Sequence, residues 1–225
     1  MAAGIAVAVY GARLHPGAWL LWFERGLAAV ILAGWAGEYV ADVIQGTYST
    51  QYTLPLQLTD VISLTAVFAL LTRRRLAIEL LYFWAFTATL QAVLTPDLAV
   101  TFPNVLYFTY FMYHVGAIVA AALLVFGLRE YPRPRAAWRT FGATLGWAVV
   151  AGIGDEIFDG NYMYLRYKPA HNSLLSVLGP WPWYIVGAAA IGLAMLLVLA
   201  AITEGIRRID PLLPASANFP ADPKG

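Results

Sequence analysis

The chain contains no cysteine. Disulfides, thiolate nucleophiles and thiolate metal sites are therefore excluded, and cysteine usage gives no information on the redox compartment. Charge is also scarce, because Asp, Glu, Lys and Arg make up 12% of the 225 residues, whereas a soluble domain has about 25%. The net charge is +1, and the only run of three basic residues is Arg73–Arg75. This charge distribution excludes nucleic acid as a partner.

Hydrophobic residues make up 60% of the chain and are grouped in long runs. About 20 apolar residues are needed for a helix to cross the ~30 Å hydrocarbon core of a bilayer. The sequence therefore predicts an all-α, polytopic membrane bundle that forms one domain over residues 1–208. The proline-rich residues 209–225 predict a flexible tail. Helices are predicted over residues 2–11, 26–44, 54–71, 77–95, 105–128, 140–158 and 183–205.

The first apolar segment, residues 2–11, is too short to cross a bilayer, since ten helical residues rise only ~15 Å. It is not a signal peptide either, because the first basic residue, Arg13, follows the apolar run. We expect it to be the end of a helix that begins upstream in the natural chain. The predicted bundle is thus of a seven-helix type with a truncated or short first helix.

The basic residues divide unequally between the two ends of the predicted bundle. By the positive-inside rule, the richer end is cytoplasmic, which predicts a multi-pass protein of the cell membrane with its C-terminus in the cytoplasm. The poorer end has only Arg166 and Lys168. The richer end has Arg13, Arg25, Arg73, Arg74, Arg75, Arg129, Arg133, Arg135, Arg139, Arg207, Arg208 and Lys224.

Polar residues inside the predicted spans fall at one level, towards the end with few basic residues. A charge in hydrocarbon costs roughly 2.5–3.5 kcal/mol, so such residues usually face a bundle interior or a wet cavity. We therefore expect a polar cavity in the outer leaflet. The residues predicted to line it are Glu38, Asp42, Gln57, Gln91, Tyr110, Asp155 and Glu156, together with Asp60 and His114.

Two interpretations of this polar layer are open. Paired carboxylates such as Glu38 and Asp42 can bind cations, share a proton or pair with a basic group. Equally, many intramembrane polar residues only join helices by hydrogen bonds. His114, the sole histidine within a predicted span, is a candidate general base or a structural histidine. Because no second imidazole accompanies it, no metal site is predicted, and no cofactor is expected.

Thr59 and Asp60 lie near the start of the predicted helix 54–71. A threonine hydroxyl near a histidine is a possible activated nucleophile. The alternative is a hydroxyl that only donates to a carbonyl of the preceding turn, as is common in membrane helices. Taken alone, this pattern is weak.

Several stretches together resemble the YwaF family of bacterial integral membrane proteins, over about residues 26–205. They are Leu54–Asp60, Glu79–Trp84, Leu90–Leu98, His114 in its aromatic helix, Asn161–Arg166 and Gly179–Tyr184. The resemblance implies a seven-helix fold. Its eukaryotic relatives include an ether-phospholipid acyltransferase and, more distantly, the androgen-induced fatty-acid-ester hydrolases. Those enzymes pair a Cys or Thr early in one helix with a His on a later helix, which implies Thr59 and His114 here.

From these observations we predict a membrane protein that is a lipid acyltransferase or ester hydrolase, with membrane lipids as partners. Thr59 would be the nucleophile, His114 the base, and Asp60 or a tyrosine the group that orients the imidazole. Arg166 and Lys168 would meet the lipid headgroup. The alternative is a non-enzymatic subunit or scaffold that binds a membrane-protein partner. A transporter is a third hypothesis, disfavoured because no internal repeat is evident.

Overall fold

A computed structural model describes residues 2–96, 98, 100–169 and 173–210. Within these residues the chain forms seven α-helices and no strand, which confirms the all-α prediction. Two π-helical turns interrupt the ladder of α-helical hydrogen bonds, at Ala85–Thr89 in α4 and Leu123–Gly127 in α5. The helices are α1 (Ala2–Leu14), α2 (Trp19–Gln45), α3 (Leu58–Thr72), α4 (Arg75–Leu94), α5 (Val105–Gly127), α6 (Ala136–Phe158) and α7 (Trp183–Ile209).

Five of these helices are long and apolar enough to cross a membrane, namely α2, α4, α5, α6 and α7. The apolar helices α1 and α3 are shorter. At 1.5 Å per residue, α3 spans ~22 Å, which is less than the hydrocarbon core. The non-helical connection between α2 and α3 precedes this short helix. It is held to the rest of the protein by Trp147, whose Nε1 donates to the carbonyl of Leu56 at 3.1 Å.

The starts of α2, α3, α4 and α6 differ from the prediction, and those of α2 and α3 have a local reason. Helix α2 begins at Trp19 rather than residue 26, because the acidic residue in this segment, Glu24, is buried against Arg73 at 2.7 Å. Helix α3 begins at Leu58 rather than residue 54. Its first turn is closed by the Asp60 carboxylate, which accepts the backbone N–H of Gln57 at 3.0 Å.

Helix α5 is the centre of the bundle and packs against α1, α2, α3 and α4. In its most apolar 18-residue stretch 78% of the residues are buried, against 6% in α7, which lies at the periphery beside α6. Glycines permit a close contact between α2 and α5. A Cβ on Gly34 would lie 2.8 Å from the Cβ of Met112, and one on Gly116 would lie 2.6 Å from Ile31.

Buried carboxylates at the arginine-rich end of the bundle, here called the basic end, are ion-paired. Glu79, only 2% exposed, accepts from Arg133 at 2.8 Å and from Arg139 at 2.9 Å. Glu24, 1% exposed, pairs with Arg73. These acids did not figure among the predicted intramembrane polar residues. Their role is to neutralise the arginines that pack against them, since an unpaired buried charge is costly.

The folded part of the chain extends slightly beyond the predicted boundary at residue 208. Helix α7 continues through Ile209, and Asp210 is buried. The Asp210 carboxylate pairs with Arg13 at 2.9 Å and with Arg129 at 3.1 Å, so it joins the ends of α1, α5 and α7. The rest of the predicted tail, residues 211–225, lies outside the described residues.

Candidate functional site

Asp60 lies at the end of the bundle opposite the basic end and is bound by two aromatic donors of α2. Its Oδ1 accepts from the Tyr39 hydroxyl at 2.8 Å and from Trp35 Nε1 at 3.0 Å, while Oδ2 accepts the Gln57 N–H. Both oxygens are therefore occupied. Unlike Glu24 and Glu79, this carboxylate has no ion pair with a basic side chain among the described residues.

Glu38, the residue before Tyr39, turns to α5 instead of α3. Its carboxylate hydrogen-bonds the hydroxyl of Tyr113, which is 6% exposed. Glu38 and Tyr39, which are consecutive on α2, thus bind α5 and α3 at the same depth in the bundle. Glu38 binds the neighbour of His114, and Tyr39 binds the neighbour of Thr59.

His114 is 2% exposed and lies between aromatic rings of its own helix. Its ring stacks on Tyr110 at a centroid distance of 4.0 Å and lies 4.3 Å from the ring of Tyr113. Nδ1 is 2.9 Å from the backbone carbonyl of Tyr110. A carbonyl only accepts, so Nδ1 carries the proton and Nε2 of the neutral ring is unprotonated. No donor among the described residues reaches Nε2.

The group that orients the imidazole is therefore the Tyr110 carbonyl. The prediction that Asp60 orients His114 is wrong, because both oxygens of that carboxylate are used by α2 and by the start of α3. A tyrosine does contact His114 Nδ1, but it does so with its backbone carbonyl. The Tyr110 side chain instead donates its hydroxyl to the carbonyl of Ala92 at 2.9 Å.

Thr59 lies on the buried face of α3. Ile62, Ser63 and Ala66, at three, four and seven residues further along, are each at most 2% exposed and share that face. The Thr59 carbonyl accepts from the Ser63 hydroxyl at 2.8 Å. Its own hydroxyl makes no hydrogen bond within the described residues. It differs in this from the back-bonded hydroxyls of Ser63, Thr72, Thr87, Thr95, Thr109, Thr144 and Thr203.

Helices α3 and α5, which contain Thr59 and His114, are in contact. His114 is buried and Thr59 is half-buried, and no hydrogen bond joins their side chains in the part of the chain that the structure describes.

Asp155 is joined to this region through the connection that follows α6. Its Oδ1 accepts the backbone N–H of Tyr162 at 2.6 Å, while its buried Oδ2 has no partner in the described residues. The Tyr162 hydroxyl in turn donates to the carbonyl of Thr50 at 2.7 Å, and Gln57 Oε1 accepts the N–H of Met163 at 2.9 Å. Burial raises the pKa of Tyr162. Asp155 and Gln57 therefore hold two connections together.

Three predicted cavity-lining residues lie apart from this cluster. Gln91 is exposed, and its amide donates to the Thr95 hydroxyl at 2.8 Å. Glu156 is exposed because it points away from the side of α6 that buries Asp155. Asp42 is half-buried and accepts from the Thr47 hydroxyl at 2.7 Å, which stabilises the end of α2. A shared level along the membrane normal places residues at one depth, but helix rotation decides which of them meet.

Arg166 and Lys168 have partners within the protein. Arg166 pairs with Asp159 at 2.6 Å and also reaches the carbonyl of Gly160 at 3.3 Å. The hydrogen bond to the Asp159 carboxylate raises the pKa of Arg166. Lys168 makes a longer contact, 3.4 Å to the carbonyl of Ser176, and lies over the ring of Tyr184. Arg166 thus caps the end of α6, and Lys168 is the freer of the two.

An apolar groove of about 740 Å³ opens on the surface between α2, α3, α4 and α6. It reaches from Trp35 and Trp147 to Arg74 at the basic end, and Leu64 and Phe68 form part of its wall. By the 100° step of an α-helix, these wall residues lie on the face of α3 opposite Thr59. The groove therefore meets the Asp60 cluster through Trp35 but does not lead to Thr59.

The aromatic donors Trp35, Tyr39 and Tyr113 were missing from the sequence-based site. Their spacing in the sequence could have indicated them, because Trp35 and Tyr39 are four residues apart and therefore share one face of α2. In the structure the centroids of their rings are 5.0 Å apart. Tyr39 and Tyr113 also stand directly beside Glu38 and His114 in the sequence.

Comparison with known proteins gives one family. The sequence model of the TMEM164 family, a family of transmembrane proteins, matches residues 1–200. No curated protein matches the chain. No solved structure matches it either. The match supports the membrane-protein class, whereas the narrower resemblance to the YwaF family stays a prediction.

Proposed function

We propose that this chain, which belongs to the TMEM164 family, is a membrane enzyme that transfers or hydrolyses the acyl group of a lipid ester, with Thr59 as nucleophile and His114 as base. One observation supports this above the others. Glu38 and Tyr39, consecutive on α2, bind Tyr113 and Asp60, the immediate neighbours of His114 and Thr59. This arrangement brings the two candidate groups to a common level on two helices that touch.

The hydrogen bonding of the Thr59 hydroxyl and of the His114 imidazole is compatible with acyl transfer. The Thr59 hydroxyl has no acceptor among the described residues, and His114 Nε2 has no donor there. The Tyr110 carbonyl fixes the neutral tautomer in which Nε2 can accept a proton. A base must come within about 2.6–3.2 Å of the hydroxyl, although this distance is often longer before substrate binds.

In the proposed reaction, the Thr59 oxygen attacks the ester carbonyl carbon while His114 Nε2 takes the hydroxyl proton. The acyl–oxygen bond of the lipid breaks, and the departing alkoxide takes that proton from the imidazolium, leaving an acyl-threonine. Water or the hydroxyl of a second lipid then attacks the acyl-threonine while His114 Nε2 takes its proton. The bond between the acyl carbon and the Thr59 oxygen breaks, and the imidazolium returns the proton to that oxygen, which restores the Thr59 hydroxyl and the neutral His114. The product is a fatty acid in the first case and a new ester in the second.

The orientation follows from the distribution of arginines. We place the basic end and the C-terminus in the cytoplasm, because Lys and Arg accumulate on that side of membrane proteins. The site then lies towards the outer leaflet of the cell membrane. Lys168 makes one long hydrogen bond and no ion pair within the described residues, so it is the better candidate for the lipid phosphate, whereas Arg166 would have to release Asp159 to take part.

The packing of the cluster favours a second candidate function, a non-enzymatic subunit or scaffold. Asp60 has three donors, and Tyr110, Tyr113 and His114 are all at most 8% exposed. Hydrogen bonds of this kind fix how helices pack, with no need for chemistry. The membrane-protein partner of such a subunit would bind an exposed apolar helix such as α7.

The decisive experiment incubates the purified chain with labelled phospholipid and lysophospholipid. We expect Thr59→Ala and His114→Ala to abolish acyl transfer and release, and Thr59→Ser to retain part of the turnover. His15→Ala, a change at an exposed histidine, is the matched control. Because the chain has no cysteine, Thr59→Cys creates its only thiol. Turnover of that variant should be blocked by N-ethylmaleimide, which should leave the wild type unaffected.

Turnover that is unchanged in folded Thr59→Ala and His114→Ala would contradict the dyad. Absence of turnover in the wild type with all lipids, combined with co-purification of a stoichiometric membrane protein, would favour the scaffold.

A further inference from the structure

A second cavity lies at the basic end, between α4, the start of α6 and the end of α7. Its volume is about 380 Å³. Apolar side chains such as Phe83 and Leu197 form part of its wall, and four arginines and Glu204 are among its other lining residues. The arginines are Arg133, Arg135, Arg207 and Arg208.

Positive charge around this cavity exceeds negative charge. Arg133 and Arg139 share the single carboxylate of Glu79. Arg207 and Arg208 likewise share Glu204, at 2.8 and 3.1 Å. Arg135 makes no ion pair or hydrogen bond through its guanidinium within the described residues. Five guanidinium groups thus face two carboxylates, which leaves an excess of three positive charges.

Arg135 is also conformationally unusual. It precedes α6 in the left-handed region, at φ 64°, which is uncommon for residues other than glycine and asparagine. No side chain caps this helix start, so the N–H groups of its first turn add to the positive potential. Beside them Trp138 is 53% exposed, and tryptophan favours the membrane–water interface.

We infer that this cavity binds a phosphate anion. Its principal ligands are Arg135, which makes no ion pair within the described residues, and Arg208, the more exposed of the two arginines that share Glu204. A concave, cationic site between the ends of membrane helices attracts anionic lipid headgroups. A phosphate of an anionic phospholipid and a free phosphate present the same charged oxygens to these arginines, and the experiment below distinguishes the two sources. The site is at the opposite end of the bundle from Thr59, so the inference does not depend on the proposed enzyme activity.

The test uses the purified chain in detergent and native mass spectrometry. An equimolar mixture of dioleoyl phosphatidylglycerol and dioleoyl phosphatidylcholine is added, and the lipid retained by the protein is measured. We expect selective retention of phosphatidylglycerol, and a loss of about fivefold in its retention for each arginine removed. The variants are Arg135→Asn, which tolerates the left-handed backbone, and Arg208→Gln. Arg25→Gln, an exposed arginine outside the cavity, is the control.

A second arm compares thermal unfolding in sodium phosphate and sodium chloride at equal ionic strength. Retention of phosphatidylglycerol that depends on Arg135 identifies a lipid headgroup site. Stabilisation by inorganic phosphate that Arg135→Asn abolishes, without lipid selectivity, identifies a site for free phosphate. Equal retention of both lipids together with no effect of phosphate would overturn the inference, as would an equal loss in Arg25→Gln.

Discussion

The hydroxyl of Tyr39 on α2 donates to Oδ1 of Asp60 on α3 at 2.8 Å. This bond fixes the rotation of α3 about its axis. Asp60 is directed to α2, and its neighbour Thr59 consequently begins the stripe of α3 that contains Ile62 and Ser63. A single interhelical bond thus fixes which side of α3 each of these two adjacent, half-buried residues occupies.

Removing this bond should lower stability modestly. Tyr39→Phe leaves Asp60 Oδ1 with Trp35 as its remaining side-chain donor. Interhelical hydrogen bonds in membranes contribute about 0.6 kcal/mol on average and up to ~1.7 kcal/mol, so we expect a loss in this range. The measurement is reversible unfolding in mixed micelles of detergent and sodium dodecyl sulfate. Tyr10→Phe, a change at a tyrosine that is 65% exposed, should unfold like the wild type.

Gly34→Ala should destabilise the contact between α2 and α5. The new methyl group would lie 2.8 Å from the Cβ of Met112 and 3.2 Å from the carbonyl oxygen of Thr109, and neither neighbour is the end of a flexible side chain. Overpacking of this kind costs about 1–3 kcal/mol. Gly26→Ala in the same helix meets no atom within 4 Å and should be neutral or slightly stabilising. Equal unfolding midpoints for the two variants would contradict this close approach.

Glu79→Gln should be among the most destabilising single changes at the basic end. It removes the charge that neutralises Arg133 and Arg139, which bind Glu79 at 2.8 and 2.9 Å. Breaking a buried ion pair costs about 3–5 kcal/mol, and we expect roughly 2–4 kcal/mol because the two arginines remain partly hydrated. Glu204→Gln is the control, since this surface pair should contribute nothing measurable. The midpoint temperature of thermal unfolding should be much lower for Glu79→Gln than for Glu204→Gln.

The orientation is testable with single cysteines, because the native chain has none to remove. Pro134→Cys lies between α5 and α6 at the basic end, and Tyr52→Cys lies between α2 and α3 at the other. We expect a membrane-impermeant maleimide to label Tyr52→Cys in intact cells, and Pro134→Cys only after the membrane is permeabilised. Labelling of Pro134→Cys from outside intact cells would reverse the assignment.

The sequence by itself determined the class of protein, the helical architecture and the approximate level of the polar residues. These properties depend on local composition, since an apolar run long enough to span a bilayer must form a helix to satisfy its backbone. All seven predicted segments are helices, and the largest difference lies at the start of α2, while the start of α3 differs less. The first residues of α2 and α3 depend on contacts of single side chains. Arg73 binds Glu24 in α2, and Asp60 closes the first turn of α3.

Only the tertiary structure decided which of these polar residues meet. Gln91 and Asp60 are predicted at a similar depth, yet Gln91 is exposed and Asp60 is bound by Tyr39. The difference arises from rotation of each helix, which is set by contacts between residues far apart in the chain, such as Gly34 against Met112. Arg135, which makes no ion pair within the described residues, is likewise recognisable as unpaired only once Glu79 and Glu204 have been assigned to other partners.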